Sequence, residues 1–291
     1  LYLLLFNIVA PVMLCALLGY RWARSGKIYD TAMITNLVVT IGTPALVFRS
    51  LVNIHGDLAT LGHVALASAL ALASFAVVAM IVLRLAGLSY RAFLPAMTFP
   101  NTGNMGLPLA LLAFGDAGLA FAVAYFAICV VFQFTFGIVI SSGSASPRAL
   151  MRIPTLYAVA LALVFLISGI RPPAWLADTA NILGGMTIPL MLITLGVSLA
   201  RMEVGDLKRS AFLAALRLGM GFGLGLAAAE IMGLHGVARG VVILQSSMPV
   251  AVFNYLFAQR YNNQPAAVAG GVVLSTLLSF ATLPVLLWYL I

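Results

Sequence analysis

The sequence predicts an all-α membrane protein of ten transmembrane helices, built as two inverted five-helix repeats whose fourth and ninth helices are broken and cross. Three observations predict it. The 291 residues are 63% hydrophobic and 8% charged, with mean hydropathy +1.14, whereas a soluble domain carries about a quarter charged residues. The apolar residues run in continuous stretches of spanning length, not in the short alternating segments of a β-barrel. Two of those stretches are interrupted by proline, at Pro100 and Pro249, in corresponding places of the two halves.

In chain order the expected spans are residues 1–20, 30–52, 60–84, 91–114, 117–141, 152–170, 176–200, 209–233, 237–259 and 265–290. The first is followed by Arg21, Arg24 and Lys27 and not by a small-residue cleavage site, so it reads as a span and not as a signal peptide. The absence of an initiator Met implies that a short piece precedes Leu1. Residues 142–151 are small, polar and basic and read as a cytoplasmic linker between a first repeat, 1–141, and a second, 152–291.

Orientation follows from the loop cations. With the N-terminus outside, the inner loops hold 11 Lys and Arg, among them Arg148, Arg152, Arg201 and Arg260, and the outer side holds 3, Arg49, Arg171 and Arg239. That asymmetry predicts both termini outside an inner membrane. It also gives the net charge of +8 a cause other than nucleic-acid binding. Trp22, Trp175 and Trp288 fall at expected interfaces. Arg49 and Arg217 are expected to snorkel to headgroups.

The halves carry matched signals. Pro44 and Pro189 lie in the second span of each half, 145 residues apart, and Pro100 and Pro249 lie 149 apart. Five spans per half is odd, so the second half enters the membrane upside down. In the eighth span Gly219, Gly221, Gly223 and Gly225 suit close helix packing.

The first break holds Pro100, Asn101, Gly103, Asn104, Gly106 and Pro108. This density of proline and glycine is expected to unwind the helix, with Pro108 near the start of the second half, where a missing N–H costs little. Broken backbone at membrane depth survives only where protein buries it or where it lines a cavity. The freed N–H groups of the second half-helix favour an anion. The second break sets Gln245, Ser246, Ser247 and Asn254 around Pro249.

Pro100-Asn101-Thr102 with Met105-Gly106-Leu107-Pro108-Leu109, and Pro249 with Phe257-Ala258-Gln259-Arg260-Tyr261-Asn262, resemble the two crossovers of the auxin efflux carrier family. That family contains plant auxin exporters and bacterial permeases for malonate or malate. The resemblance implies a crossed-helix fold like that of sodium/proton antiporters or bile-acid transporters. It implies a scaffold of spans 1, 2, 6 and 7 that forms a homodimer, and a transport domain of spans 3–5 and 8–10 that moves like an elevator. It implies that Asn101 contacts the substrate carboxylate and that Pro100 and Pro249 are helix breakers. Asn104 and Asn254 depart from the plant members, and the long cytosolic loop of many of them is absent.

The candidate substrate-binding residues are Asn101, Gly103, Asn104, Gln133, Ser246, Ser247 and Asn254. Asn104 either touches substrate or ties up freed backbone. One of the two serines is expected to face the site. Asn254 either caps the second half-helix or reaches the substrate. Gln133 either lines the pocket or bonds a neighbouring helix. Glu230, the one acid well inside a span, is a candidate proton site or an interface residue that reaches water.

His55, His63 and His235 show no metal-ligand spacing, and Cys15 and Cys129 read as packing residues, so no metal, cofactor or disulfide is expected. Neither break contains a carboxylate, which argues against cation exchange; amides, hydroxyls and helix N-termini suit an anion. The reading is a secondary transporter or uniporter of small organic anions, mono- or dicarboxylates, working by alternating access in a lipid bilayer. A sodium-coupled symporter of the bile-acid type and a ligand-binding membrane sensor are the alternatives. No nucleotide-binding motif and no catalytic pairing is present, so enzyme activity is not expected.

Overall fold

Apolar runs that cross a bilayer fold as helices because each backbone donor must find an acceptor within the chain. The structure, a computed structural model, describes residues 2–53, 58–142 and 151–291. Its helices are α1 (Tyr2–Arg24), α2 (Thr31–Val52), α3 (Leu58–Leu85), α4 (Tyr90–Thr98), α5 (Thr102–Ser142), α6 (Pro154–Ser168), α7 (Ala174–Arg201), α8 (Leu207–Ile231), α9 (Gly236–Ser246), α10 (Val252–Arg260) and α11 (Pro265–Leu290). Seven of these, α1, α2, α3, α5, α7, α8 and α11, are long and apolar enough to cross a membrane, and α6 is a shorter apolar helix. Most of the expected linker, residues 143–150 with Arg148, lies outside the described residues, as does His55.

Local chemistry sets the ends. Asp30 caps α2 by accepting from the Met33 N–H at 2.9 Å, and Asp206 caps α8 by accepting from Arg209 N–H at 3.0 Å. In α1 the buried positions Leu5, Ile8, Val9, Val12, Ala16 and Gly19 form one helical stripe, while Leu3, Phe6, Leu14 and Leu18 on the other faces are exposed.

Proline deforms α2 and α7 at facing points. In α2 the residues before Pro44, Val38–Gly42, widen into a π turn. The ring cannot donate to the preceding turn and crowds its carbonyl, and a π turn relieves both. In α7 the helix breaks at Met186, just before Pro189. The two deformed segments meet: a Cβ at Gly42 would lie 2.6 Å from Thr187 Oγ1, and one at Gly184 would lie 3.0 Å from the Leu46 backbone. Nearby, a Cβ at Gly19 would strike the Ile193 carbonyl, and one at Gly196 the Ala16 carbonyl. Glycine at both places lets α1 and α7 pack backbone to backbone.

Two packing groups result. α1 lies along the second part of α7, and α2 lies against α6 and α7. In the other group α8 packs on α9, α11 and α3, while α3 also contacts α4 and α5.

Two points of the chain path bear on the site. Between the expected fourth and fifth spans, 91–114 and 117–141, Gly115, with φ 65° and ψ −159°, kinks α5. Only glycine takes that conformation without strain. The first break is shorter than the run of Pro100, Gly103, Gly106 and Pro108 suggested. Only residues 99–101 leave the helix; Thr102–Gly106 winds as a π turn, and Pro108 sits in the first α turn after it. A wide turn places no N–H demand on Pro108, so the helix resumes early.

Candidate functional site

The two breaks are one structure. Proline disfavours helical backbone in the residue before it, and Phe99 is accordingly extended, with φ −103° and ψ 103°. Beyond Pro249, Ala251 is extended as well. The extended pieces pair antiparallel, with Pro100 opposite Val250. Asn101 N–H donates to the Pro249 carbonyl at 2.7 Å, and Ala251 N–H donates to the Phe99 carbonyl at 3.3 Å. Asn254 Nδ2 donates to the same Phe99 oxygen at 3.0 Å, and Ser275 Oγ accepts from Val250 N–H at 3.0 Å. Each break thus supplies partners for the backbone groups that the other leaves open, which meets the demand of a site without bulk water.

Arg217 closes the other side of this crossing. It is wholly buried, and the expectation that it snorkels is overturned. Its guanidinium donates to the carbonyls of Met97 (2.7 Å), Met248 (3.2 Å) and Ser246, and lies 4.5 Å from the Phe75 ring centroid. Met97 is in the last turn of α4, and Ser246 ends α9. The reason is close packing. Gly221 and Gly225 follow Arg217 at steps of four on one face of α8, and a Cβ at either would collide with Ser246. That contact draws α8 so near the break that Arg217, one turn earlier, has protein carbonyls in reach before headgroups. Gly219 and Gly223, on another face, would meet open space.

A cavity of about 710 Å³ lies against the crossing. At its buried end are Pro100, Asn101, Thr102, Gly103, Asn104 and Gln133; the walls carry Phe126, Phe134, Phe253 and Phe257. At its rim stand the exposed Arg152, Arg201 and Arg260. A second cavity, of about 370 Å³, lies at the other ends of α2 and α7 and is lined by Arg49, Ser50, Asn53, Asp116 and Asn181.

Asn101 is the N-cap residue of α5, is 3% exposed, and its Nδ2 has no partner among the described residues. The first N–H groups of any helix also lack intrahelical acceptors, and here Gly103 and Asn104 belong to that first turn and line the cavity. Residues that carry donors without acceptors, at the positive end of a helix, therefore line the buried end. A Cβ at Gly103 would come 3.1 Å from the Phe126 ring and narrow the space.

The other expected residues divide. Gln133 lines the cavity and also donates from Nε2 to Asn254 Oδ1 at 3.4 Å. Asn254 does not line it; it ties Gln133 to Phe99 across the crossing. Ser246 and Ser247 do not line it either. Ser246 Oγ pairs with Tyr125 OH at 3.0 Å, and Ser247 Oγ donates back to Ile243 at 2.7 Å, so α9 and Tyr125 take both hydroxyls. Gly106 faces the buried Gln245 amide, which leaves no room for a Cβ, and both Gln245 amide atoms are without partners. Glu230 stands one residue from the end of α8, apart from the cavity, and pairs with Arg239 at 2.8 Å. Arg239 also donates to Tyr289 OH at 2.9 Å.

Sequence reasoning missed the opposite wall, where Thr31, Thr35, Thr43, Met191, Thr194 and Ser198 line the cavity. Thr31/Thr35 and Thr194/Ser198 are polar pairs four apart on largely apolar helices, a signal that was present. This wall is braced: Tyr29 OH bonds Thr194 Oγ1 at 2.7 Å, and Arg201 donates to Thr31 Oγ1 at 2.8 Å and to the Tyr29 carbonyl at 2.9 Å.

The sequence matches the membrane transport protein family over residues 4–150 and over residues 138–289. It is 26% identical over 298 residues to an uncharacterized transporter of Methanothermobacter thermautotrophicus, covering 96% of each chain. Over 202 residues it is 26% identical to an uncharacterized transporter of Methanocaldococcus jannaschii, 65% of this chain and 64% of that one. Auxin efflux carrier component 1 of Arabidopsis thaliana is 30% identical over 151 residues, which are 50% of this chain and 24% of the plant protein.

Proposed function

Because the chain belongs to the membrane transport protein family and is a multi-pass transporter akin to the auxin efflux carriers, not an enzyme, we propose that its cargo is a small organic anion bound at the crossing. The observation that carries this reading is the unpartnered Asn101 amide at the buried end of the cavity, beside the first turn of α5. An amide donor and a helix N-terminus together suit a carboxylate. The aromatic walls suit the rest of a mono- or dicarboxylic acid, and the three rim arginines raise the local concentration of anions.

The packing groups support an elevator. α1, α2, α6 and α7 would form the scaffold, through which two copies pair, and α3–α5 with α8–α11 would form the moving domain. The cavity touches both: Asn101 and Phe257 belong to one group, Thr194 and Thr35 to the other. The matched prolines, Pro44 with Pro189 and Pro100 with Pro249, support ten spans in two inverted five-helix repeats. The loop arginines support an inner membrane with both termini outside, so the cavity described here would open inward. A negative interior then favours export of the anion by about 2.3 kcal/mol per charge per 100 mV.

The test is a panel of mono- and dicarboxylic acids against the purified protein. A cargo raises Tm in a concentration-dependent way and moves across sealed proteoliposomes. If no acid in the panel does either, organic-anion transport is rejected. Binding without flux would favour a sensor.

A further inference from the structure

We propose that Arg217 is a built-in cation at the crossing: its guanidinium occupies the place where a coupling cation would sit, so the carrier works without one, and removing the side chain opens a site for a small monovalent cation. The proposal rests on reading the crossing as a carrier site. It answers what that reading leaves open, namely whether a cation gradient is coupled.

Carbonyl oxygens from both broken spans converge on one point. They belong to Met97 near the end of α4, Ser246 at the end of α9, and Met248 in the second break. Helix C-termini carry partial negative charge. Where interrupted helices build a transport site, half-helix C-termini and unwound carbonyls are the ligands for the coupling ion. The polarity of the crossing is therefore complete. The helix start at Asn101 faces the cavity, and the negative ends face Arg217.

Among the described residues Arg217 pairs with no acid; the ion pairs there are Arg209–Asp206 and Arg239–Glu230. A charge buried without a carboxylate is costly unless charge-assisted hydrogen bonds offset it. Here three carbonyls accept from the guanidinium and the Phe75 ring lies against it. An apolar residue at 217 would leave three carbonyls facing one another in a site sealed from solvent. The arrangement needs a positive charge, and the chain supplies it covalently. Gly221 and Gly225 bring α8 close enough to deliver it.

The test needs no cargo. Tm of the purified full chain is measured in sodium chloride, guanidinium chloride and choline chloride at equal, low ionic strength, for wild type, Arg217→Lys and Arg217→Ala. Choline has no N–H to donate and its methyl groups keep its charge away from the three carbonyls, so it controls for salt. Wild type and Arg217→Lys should not distinguish sodium from choline. Arg217→Ala should be destabilised in choline and regain several degrees, saturably, in sodium or guanidinium. Folded Arg217→Ala recovered in sodium or guanidinium but not in choline supports the proposal equally. The same Tm for Arg217→Ala in all three salts, failure to fold in all three, or a sodium-selective shift in wild type overturns it. A merely structural arginine predicts no cation selectivity. Because no organic acid enters the assay and chloride is common to all three salts, its outcome is independent of whether organic acids are carried.

Discussion

Asn101 N–H reaches the Pro249 carbonyl at 2.7 Å. Residues 148 positions apart thus complete one another's backbone at the point where both spans are interrupted. The two breaks behave as a single element, and a change at one is felt at the other. Pro100→Ala and Pro249→Ala each restore a backbone donor and permit helix at the residue before. Each should lower Tm and flux. The double variant should cost less than the sum of the two, with a coupling of about 0.5–3 kcal/mol. A thermal-melt double-mutant cycle checks it.

Asn101 and Asn254 should separate function from stability. Asn101 Nδ2 has no partner to lose, so Asn101→Ala should leave Tm nearly unchanged while weakening cargo affinity about tenfold or more, the worth of a hydrogen bond to a charged group. Asn254 bonds Phe99 and Gln133, so Asn254→Ala should cost about 1–3 kcal/mol of stability. Melting curves with concentration-dependent flux for both variants check the contrast.

The glycines of α8 should split by face. Gly221→Ala places a Cβ against the Ser246 carbonyl and should destabilise by about 1–3 kcal/mol. Gly219→Ala meets nothing and should stabilise by about 0.5–1 kcal/mol through helix propensity. Side-by-side melts of the two variants check the sign.

Glu230 should prove unimportant to transport. It is 57% exposed, paired with Arg239, and away from the cavity. Glu230→Gln should change stability by no more than about 1 kcal/mol and leave the pH profile of flux as in wild type. Flux measured across the pH range checks it.

What could be read in the sequence follows the reach of each rule. Proline acts on its own turn, so the breaks at Pro100 and Pro249 were visible in isolation, whereas Pro44 and Pro189 were read only as a matched pair. Glycine was weighed by type alone, so the break after Pro100 looked longer than three residues. Partners were hidden because they are nonlocal. Arg217 looked like a snorkelling side chain until α8 was seen against α9. The spacing of Arg217, Gly221 and Gly225 on one face was the available clue. Ser246 and Ser247 were placed near the site because they adjoin Pro249, but Tyr125 and the Ile243 carbonyl hold them elsewhere. The Thr31/Thr35 and Thr194/Ser198 pairs lie far in sequence from both breaks, and only the fold brings them to the cavity.

The most direct test of the central claim is flux of a carboxylate that stabilises the wild-type protein, measured in proteoliposomes with wild type and Asn101→Ala of equal Tm. The account predicts saturable flux in wild type and, in the variant, an affinity lower by about tenfold or more. Wild-type rate and affinity in Asn101→Ala would contradict it.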